Sequence, residues 1–221
     1  MLAHSPELSV PLTRGRTLDH AAAVYDYLAP VMTLGQEGRY RKLAIRLLGL
    51  RGGENVLDVG CGTGVLTRQI AACLSGDSAL AVGIDAAPKM IAVARRRARG
   101  LPRLRFDTGV AERLPYGDGA FDCAVSTFFF HHIDAELKRR SLAELLRVLK
   151  PGGRLIIVDV DTPTNLLGKL CAWSGYWLFK QEEIRENIEG ELPRALSEVP
   201  FREVTRVAHF SGYVTVFQAT K

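Results

Sequence analysis

The sequence predicts an α/β fold, a mostly parallel sheet with helices on both faces and an antiparallel hairpin at its C-terminal end. Three observations lead there. First, "NVLDVG", "LAVGID", "RLRFDTGV", "FDCAVSTFFF" and "RLIIVDV" read as strands, several of them continuous apolar runs, and such runs suit strands buried on both faces of a parallel sheet. Second, helical segments separate most of these runs, which makes βαβ units. Third, the chain ends in "FREVTRVAHF" and "YVTVFQATK", two strand-like runs joined by Ser211-Gly212, which read as a hairpin.

Taken in order, residues 1–18 carry two prolines without periodicity and are expected to form a mobile arm. "LDHAAAVYDYLAP" and "RYRKLAIRLLGL" read as two short helices of a 19–50 helical lid. The strand at Asn55 leads into Gly60-Cys61-Gly62-Thr63-Gly64 and a helix over Val65–Leu74. A second helix is expected over Pro88–Arg99. A third is expected over residues 135–149, with Asp134 as N-cap and Leu142, Leu145, Leu146 and Leu149 as its apolar stripe. Pro151-Gly152-Gly153 is expected to stop it. Residues 19–221 form one domain in this reading, with 161–199 as an insertion over the site.

Composition narrows the function. Of 221 residues, 47% are apolar and 24% charged, ordinary for a globular protein. A net charge of +5 is too mild to imply nucleic acid by itself. The run Arg95-Arg96-Arg97, Arg99, Arg103 and Arg105 reads as a solvated helix face, and no nucleic-acid partner is expected. Four scattered cysteines show no CxxC and no Cys/His cluster, so no metal is expected and a reducing compartment fits. The N-terminus lacks the apolar core of a signal peptide, and no run approaches the ~20 residues of a membrane span. The expected location is cytoplasmic.

The glycine loop excludes two cofactor classes. Val65 stands where a dinucleotide fingerprint needs its third glycine, and no Gly-Lys-Ser/Thr ending follows for a nucleoside triphosphate. Asp85 closes the second strand, where an acid can hold both ribose hydroxyls. Asp58, just before the glycines, suits a ligand with a charged amino group. A nucleoside lacking pyrophosphate but bearing an amino group fits S-adenosyl-L-methionine.

"VLDVGCGTG", "VGIDAAPKMIAVAR", "GVAERLPYGDGAFDCAVS" and "RVLKPGGRLIIVD" together resemble the successive motifs of the class I S-adenosylmethionine-dependent methyltransferases. They cover roughly residues 53–160. The segment "YDYLAPVMTLGQEGRYRK" is similar to the entry segment of the ubiquinone/menaquinone-biosynthesis C-methyltransferases within that class. The resemblance implies a Rossmann-like seven-stranded sheet, with S-adenosyl-L-homocysteine as product. It places Asp58, Gly60, Cys61, Gly62 and Thr63 along the methionine half of the cofactor and Asp85 on the ribose. Ala86 and Met90 would pack near the adenine, with Val110, Ala111 and Glu112 along its edge. Val110 stands where the family often has Asp or Asn, so backbone would replace a polar side chain there. Ser126 and Thr127 would close the site, and Tyr25 would cover it from the lid.

Methyl transfer from a sulfonium depends mostly on positioning, and a base helps when the acceptor must lose a proton. His131 and His132, after the fourth strand, are the base candidates, although the quinone enzymes tend to carry Arg-Asn there. Phe128, Trp173 and Trp177 are the acceptor-site candidates. The aromatic segment holding the two tryptophans could be a core helix, a pocket cover or a peripheral membrane contact. A quinone-like, phenolic or lipid acceptor is expected. The alternatives are phospholipid N-methylation, arsenite methylation with Cys61 and Cys171 on the metalloid, thiol methylation, and a non-catalytic cofactor-binding regulator.

Overall fold

A computed structural model describes Thr13, Gly15 and residues 35–221. The first lid helix, Tyr25 and most of the N-terminal arm lie outside the described residues. Among the described residues the sheet has seven strands in the order β3-β2-β1-β4-β5-β7-β6. They are β1 Asn55–Val59, β2 Leu80–Asp85, β3 Leu104–Thr108, β4 Phe121–Thr127, β5 Leu149–Val160, β6 Arg202–Phe210 and β7 Val214–Thr220. The first five are parallel; β7 runs antiparallel between β5 and β6. The hairpin therefore turns back into the sheet, and β6 becomes the edge.

Helices cover both faces. They are α1 Glu37–Leu48, α2 Val65–Ala71, α3 Pro88–Arg97, α4 Ala135–Val148, α5 Leu166–Phe179, α6 Glu182–Ile188 and α7 Glu191–Glu198. One apolar layer packs α4 and α7 on the sheet through Leu142, Leu145, Leu192 and Leu196. The other packs α1 and α2 through Tyr40, Ala44, Leu48, Leu66 and Ile70. The central strands are buried on both faces, the condition their continuous apolar runs require.

The local chemistry accounts for most boundaries. Asp134 accepts from the Leu137 amide at 2.8 Å and caps α4, as its position predicts. Helix α4 ends at Val148, and Leu149 begins β5. Pro151-Gly152-Gly153 is thus a bulged entry to the strand. The β4–β5 register shifts there, and Gly152 N and Gly153 O pair with Lys221. Strand β4 stops three residues earlier than its apolar run predicts. Phe128 takes a left-handed φ of 53°, and the Asp159 carboxylate accepts from the amides of Phe129 and Phe130. This turns residues 130–132 into a 3₁₀ turn.

Candidate functional site

Strand β1 lies between β2 and β4, so the chain order reverses there and a crevice opens beyond its carboxyl end. The glycine loop fills that position. The amides of Gly60 and Cys61 both donate to Ile84 O, at 2.9 and 3.1 Å, which folds the loop across β2. Gly60 has φ 72°, and a Cβ there would lie 2.7 Å from Phe129. Gly62 has φ 53°, and its missing Cβ would point into open space. Gly60 is therefore demanded by packing, whereas Gly62 leaves backbone bare for a ligand.

Asp85 fastens the loop to the next helix. Its Oδ2 accepts from the Gly62 amide at 2.8 Å and its Oδ1 from the Ala87 amide at 2.9 Å, at the entry to α3. Asp58 is buried beneath the loop. Its Oδ2 accepts from the Thr67 hydroxyl at 2.6 Å, while its Oδ1 has no partner among the described residues. Burial pushes the Asp58 carboxyl up to about 7; the Thr67 hydrogen bond opposes this and the Asp85 charge adds to it. Burial, with the Asp85 and Asp58 charges behind it, holds the Cys61 thiol well above its ordinary value, so it is a protonated filler.

Two clefts meet over Gly60, Gly62 and Phe128. Along the first lie Asp85, Ala86 and Met90, followed by Val110, Ala111 and Glu112. Thr13 and Gly15 reach it from the N-terminal arm, and Phe129, His132 and Ile133 form its far wall. Cys61, Thr63 and Thr127 line the second cleft, with Arg41 from α1, Arg68 from α2 and Arg97 from α3. Arg41 pairs with Glu37 at 3.1 Å, and its Nε is buried without a hydrogen-bond partner.

Five described residues singled out in the sequence line neither cleft: Ser126, His131, Trp173, Trp177 and Asp58. Ser126 is buried and donates to Val59 O at 2.9 Å, so its hydroxyl ties β4 to β1. His131 Nδ1 lies 2.7 Å from Asp159 Oδ1. Trp173 packs partly buried on the α1-side core, and Trp177 is exposed on α5. Asp58 sits below the loop rather than on a cleft wall, and Tyr25 is outside the described residues. The sequence reading missed Asp159, whose oxygens take the amides of Phe129, Phe130 and Val160 besides His131. Its only signal was an acid near the end of an apolar strand. Arg97 was hidden in the arginine run, where it looks like the rest of a solvated face. The rings of His131 and His132 are in contact, tilted by 46° with centroids 3.9 Å apart, so the Asp159–His131 pair also steadies His132.

A glycine loop at the switch point, an acid closing β2 and a terminal antiparallel hairpin define a class I S-adenosylmethionine-dependent methyltransferase. The family described as a methyltransferase domain matches residues 56–153. The ubiquinone/menaquinone biosynthesis C-methyltransferase of Geobacter sp. (strain M21) is 31% identical over 222 positions, covering 89% of this chain and 91% of its own. The demethylmenaquinone methyltransferase of Beutenbergia cavernae is 37% identical over 145 residues, 66% of this chain and 57% of that protein. The crystal structure of an Aquifex aeolicus S-adenosylmethionine-dependent methyltransferase has a TM-score of 0.66 at 21% identity, covering 93% of this chain and 99% of its own, a likeness of fold. The chain belongs to the family of class I methyltransferases that includes the ubiquinone/menaquinone-biosynthesis C-methyltransferases. It is an enzyme, and its methyl donor is S-adenosylmethionine.

Proposed function

We propose that the enzyme C-methylates a lipophilic quinone-like or phenolic ring. The observation that carries this reading is the likeness, along nearly the whole chain, to a ubiquinone/menaquinone C-methyltransferase. The residues present fit the donor. Gly62 offers bare backbone beside open space, and the buried Asp58 Oδ1 lacks a partner under the loop. In this reading the first cleft takes the adenosine half. Asp85 holds the ribose, since a carboxylate oxygen accepts more than one hydrogen bond. Met90, Val110 and Ala111 pack on the base, and Glu112 borders it. The second cleft takes the methionine end, with Arg41 facing its carboxylate and Asp58 compensating its ammonium from below.

Bound S-adenosylmethionine supplies an electrophilic methyl on a sulfonium and leaves as S-adenosylhomocysteine. The chain's own task is to align the acceptor carbon with that methyl and to exclude water. Phe128, shared by both clefts, gives the aromatic wall where donor and acceptor meet. His132 stands on the wall of the first cleft and is the proton acceptor for the ring hydroxyl, whose loss enriches the attacking carbon. His131, held by Asp159, is a positioning residue for His132 and for the Phe129 turn.

The test is transfer of labelled methyl to a demethylated quinol, with phenols, thiols and phosphoethanolamine as competitors. Label on a quinol ring carbon is the expected result; label on sulfur or nitrogen instead overturns the assignment. His132→Ala is expected to lower kcat roughly 10²-fold and to remove the acidic limb of the pH–rate profile. An unchanged profile rejects the base.

A further inference from the structure

Helix α5 (Leu166–Phe179) is built inside out. Its buried positions are the small residues Gly168 and Ala172. Gly168 rests on the backbone of Gly212 in the β6–β7 turn, where any Cβ would collide. The large apolar side chains point the other way. Leu166, Leu167, Leu170, Trp177 and Leu178 are each at least 56% exposed. At about 100° per residue they fall within an arc of about 120°, interrupted only by Ser174. The other exposed large apolar residues among those described, Leu101, Val204 and Val207, lie on other elements. A continuous apolar stripe of this kind marks an interaction surface.

Charge selects the occupant. Helix α5 carries no acid, and Lys169 and Lys180 are exposed with no ion pair among the described residues. Of the acids that follow, Glu182 is engaged by Arg185 and the Tyr176 hydroxyl, Glu186 by Lys138 and Glu189 by Arg185. We infer that α5 is a docking helix that lies in the surface of a bilayer containing anionic phospholipid. At 14 residues it is about 21 Å long, too short for a core of about 30 Å, so it lies along the surface. Its leucines enter the acyl boundary, Trp177 and Tyr176 occupy the interfacial level, and the two lysines face the phosphates. A second copy of the chain fits less well, because a two-fold pairing through this stripe brings unpaired lysines from both partners to one contact. The helix is anchored on the same apolar cluster as Tyr40 and Phe128, which wall the second cleft. The inference stands whichever acceptor is methylated.

Vesicle sedimentation of the full chain tests it. The protein is expected to pellet with phosphatidylcholine vesicles containing about 30% phosphatidylglycerol, and to do so less with phosphatidylcholine alone. Leu170→Gln with Leu178→Gln should reduce the bound fraction roughly fivefold or more. Lys169→Gln with Lys180→Gln should abolish the preference for anionic vesicles and leave weak binding to neutral ones. S-adenosylhomocysteine calorimetry on each variant, expected to match wild type, reports that the fold and donor site persist. Three results would overturn the inference: wild-type protein that stays in the supernatant with both vesicle types, binding unaffected by the leucine substitutions, or a dimer that those substitutions dissociate in place of vesicle binding. Methyl transfer to detergent-solubilised quinol, measured separately, keeps failure of docking distinct from failure of the proposed chemistry.

Discussion

The two clefts share Gly60, Gly62 and Phe128, yet they are assembled in different ways. The first is made largely of short loops at the carboxyl ends of β1, β2 and β3, each contiguous in sequence with its strand. Its central acid, Asp85, is held by backbone amides of two neighbouring segments. The second adds to the same glycine loop single side chains from α1, α2, α3 and β4, and its guanidinium groups come from positions 41, 68 and 97. Strand-end loops of a parallel sheet start from positions that the strand ladder sets. The second depends also on how three helices settle on the sheet.

The strongest break in this comparison is Asp85→Ala. It removes the bonds to Gly62 and Ala87 together with the proposed ribose contacts, and S-adenosylhomocysteine affinity is expected to fall about 100-fold or more. Affinity within about threefold of wild type by calorimetry would detach the donor from the first cleft.

Arg41→Gln sharpens the boundary between the clefts. Loss of one charge-assisted pair should weaken S-adenosylhomocysteine roughly tenfold and leave 5′-methylthioadenosine, which has no carboxylate, unaffected. An equal loss for both ligands would assign Arg41 to packing.

The smallest effect is pH-dependent. Asp58 titrates near 7 in the folded protein against 3.8 in an unperturbed chain. Between those values the folded state holds a proton that the unfolded chain has released. The contribution of Asp58 to stability therefore falls as pH rises through this window and is constant above it. Asp58→Asn should raise the Tm of the ligand-free protein above pH 7, by roughly 2–4 °C for each kcal/mol relieved. An ammonium bound nearby favours the ionised acid, so S-adenosylhomocysteine should bind more tightly at pH 8 than at pH 6, by up to about tenfold, with proton release. In Asp58→Asn that slope should vanish; a slope that persists places the ammonium elsewhere.

Much of the first cleft was legible because its residues sit at fixed offsets from apolar strands. Asp85, Ala86 and Met90 follow β2, and Val110, Ala111 and Glu112 follow β3; all line the cleft. Ser126 shows the limit of such reasoning. It holds the right offset from β4, but its side chain turns inward to Val59, and alternation along a strand cannot say which strand accepts its proton. His131 and His132 are adjacent in sequence and look equivalent. Only the fold separates them, by bringing Asp159 from β5 to one ring and leaving the other on a cleft wall. The aromatic segment after β5 was legible as a helix but not as an exposed one, because both of its faces are apolar and no period marks the side that meets the sheet.

The sequence by itself determined the sheet, the glycine loop and the acid at the end of β2. These depend on local patterns: apolar runs, turns that need positive φ, and residues placed one strand-length apart. Tertiary structure alone decided that three arginines from separate helices converge on one cleft, that Asp159 claims His131, and that α5 turns its leucines outward. Each is a contact between residues far apart in the chain. Such contacts are set by packing, and packing leaves no periodicity in the sequence to read.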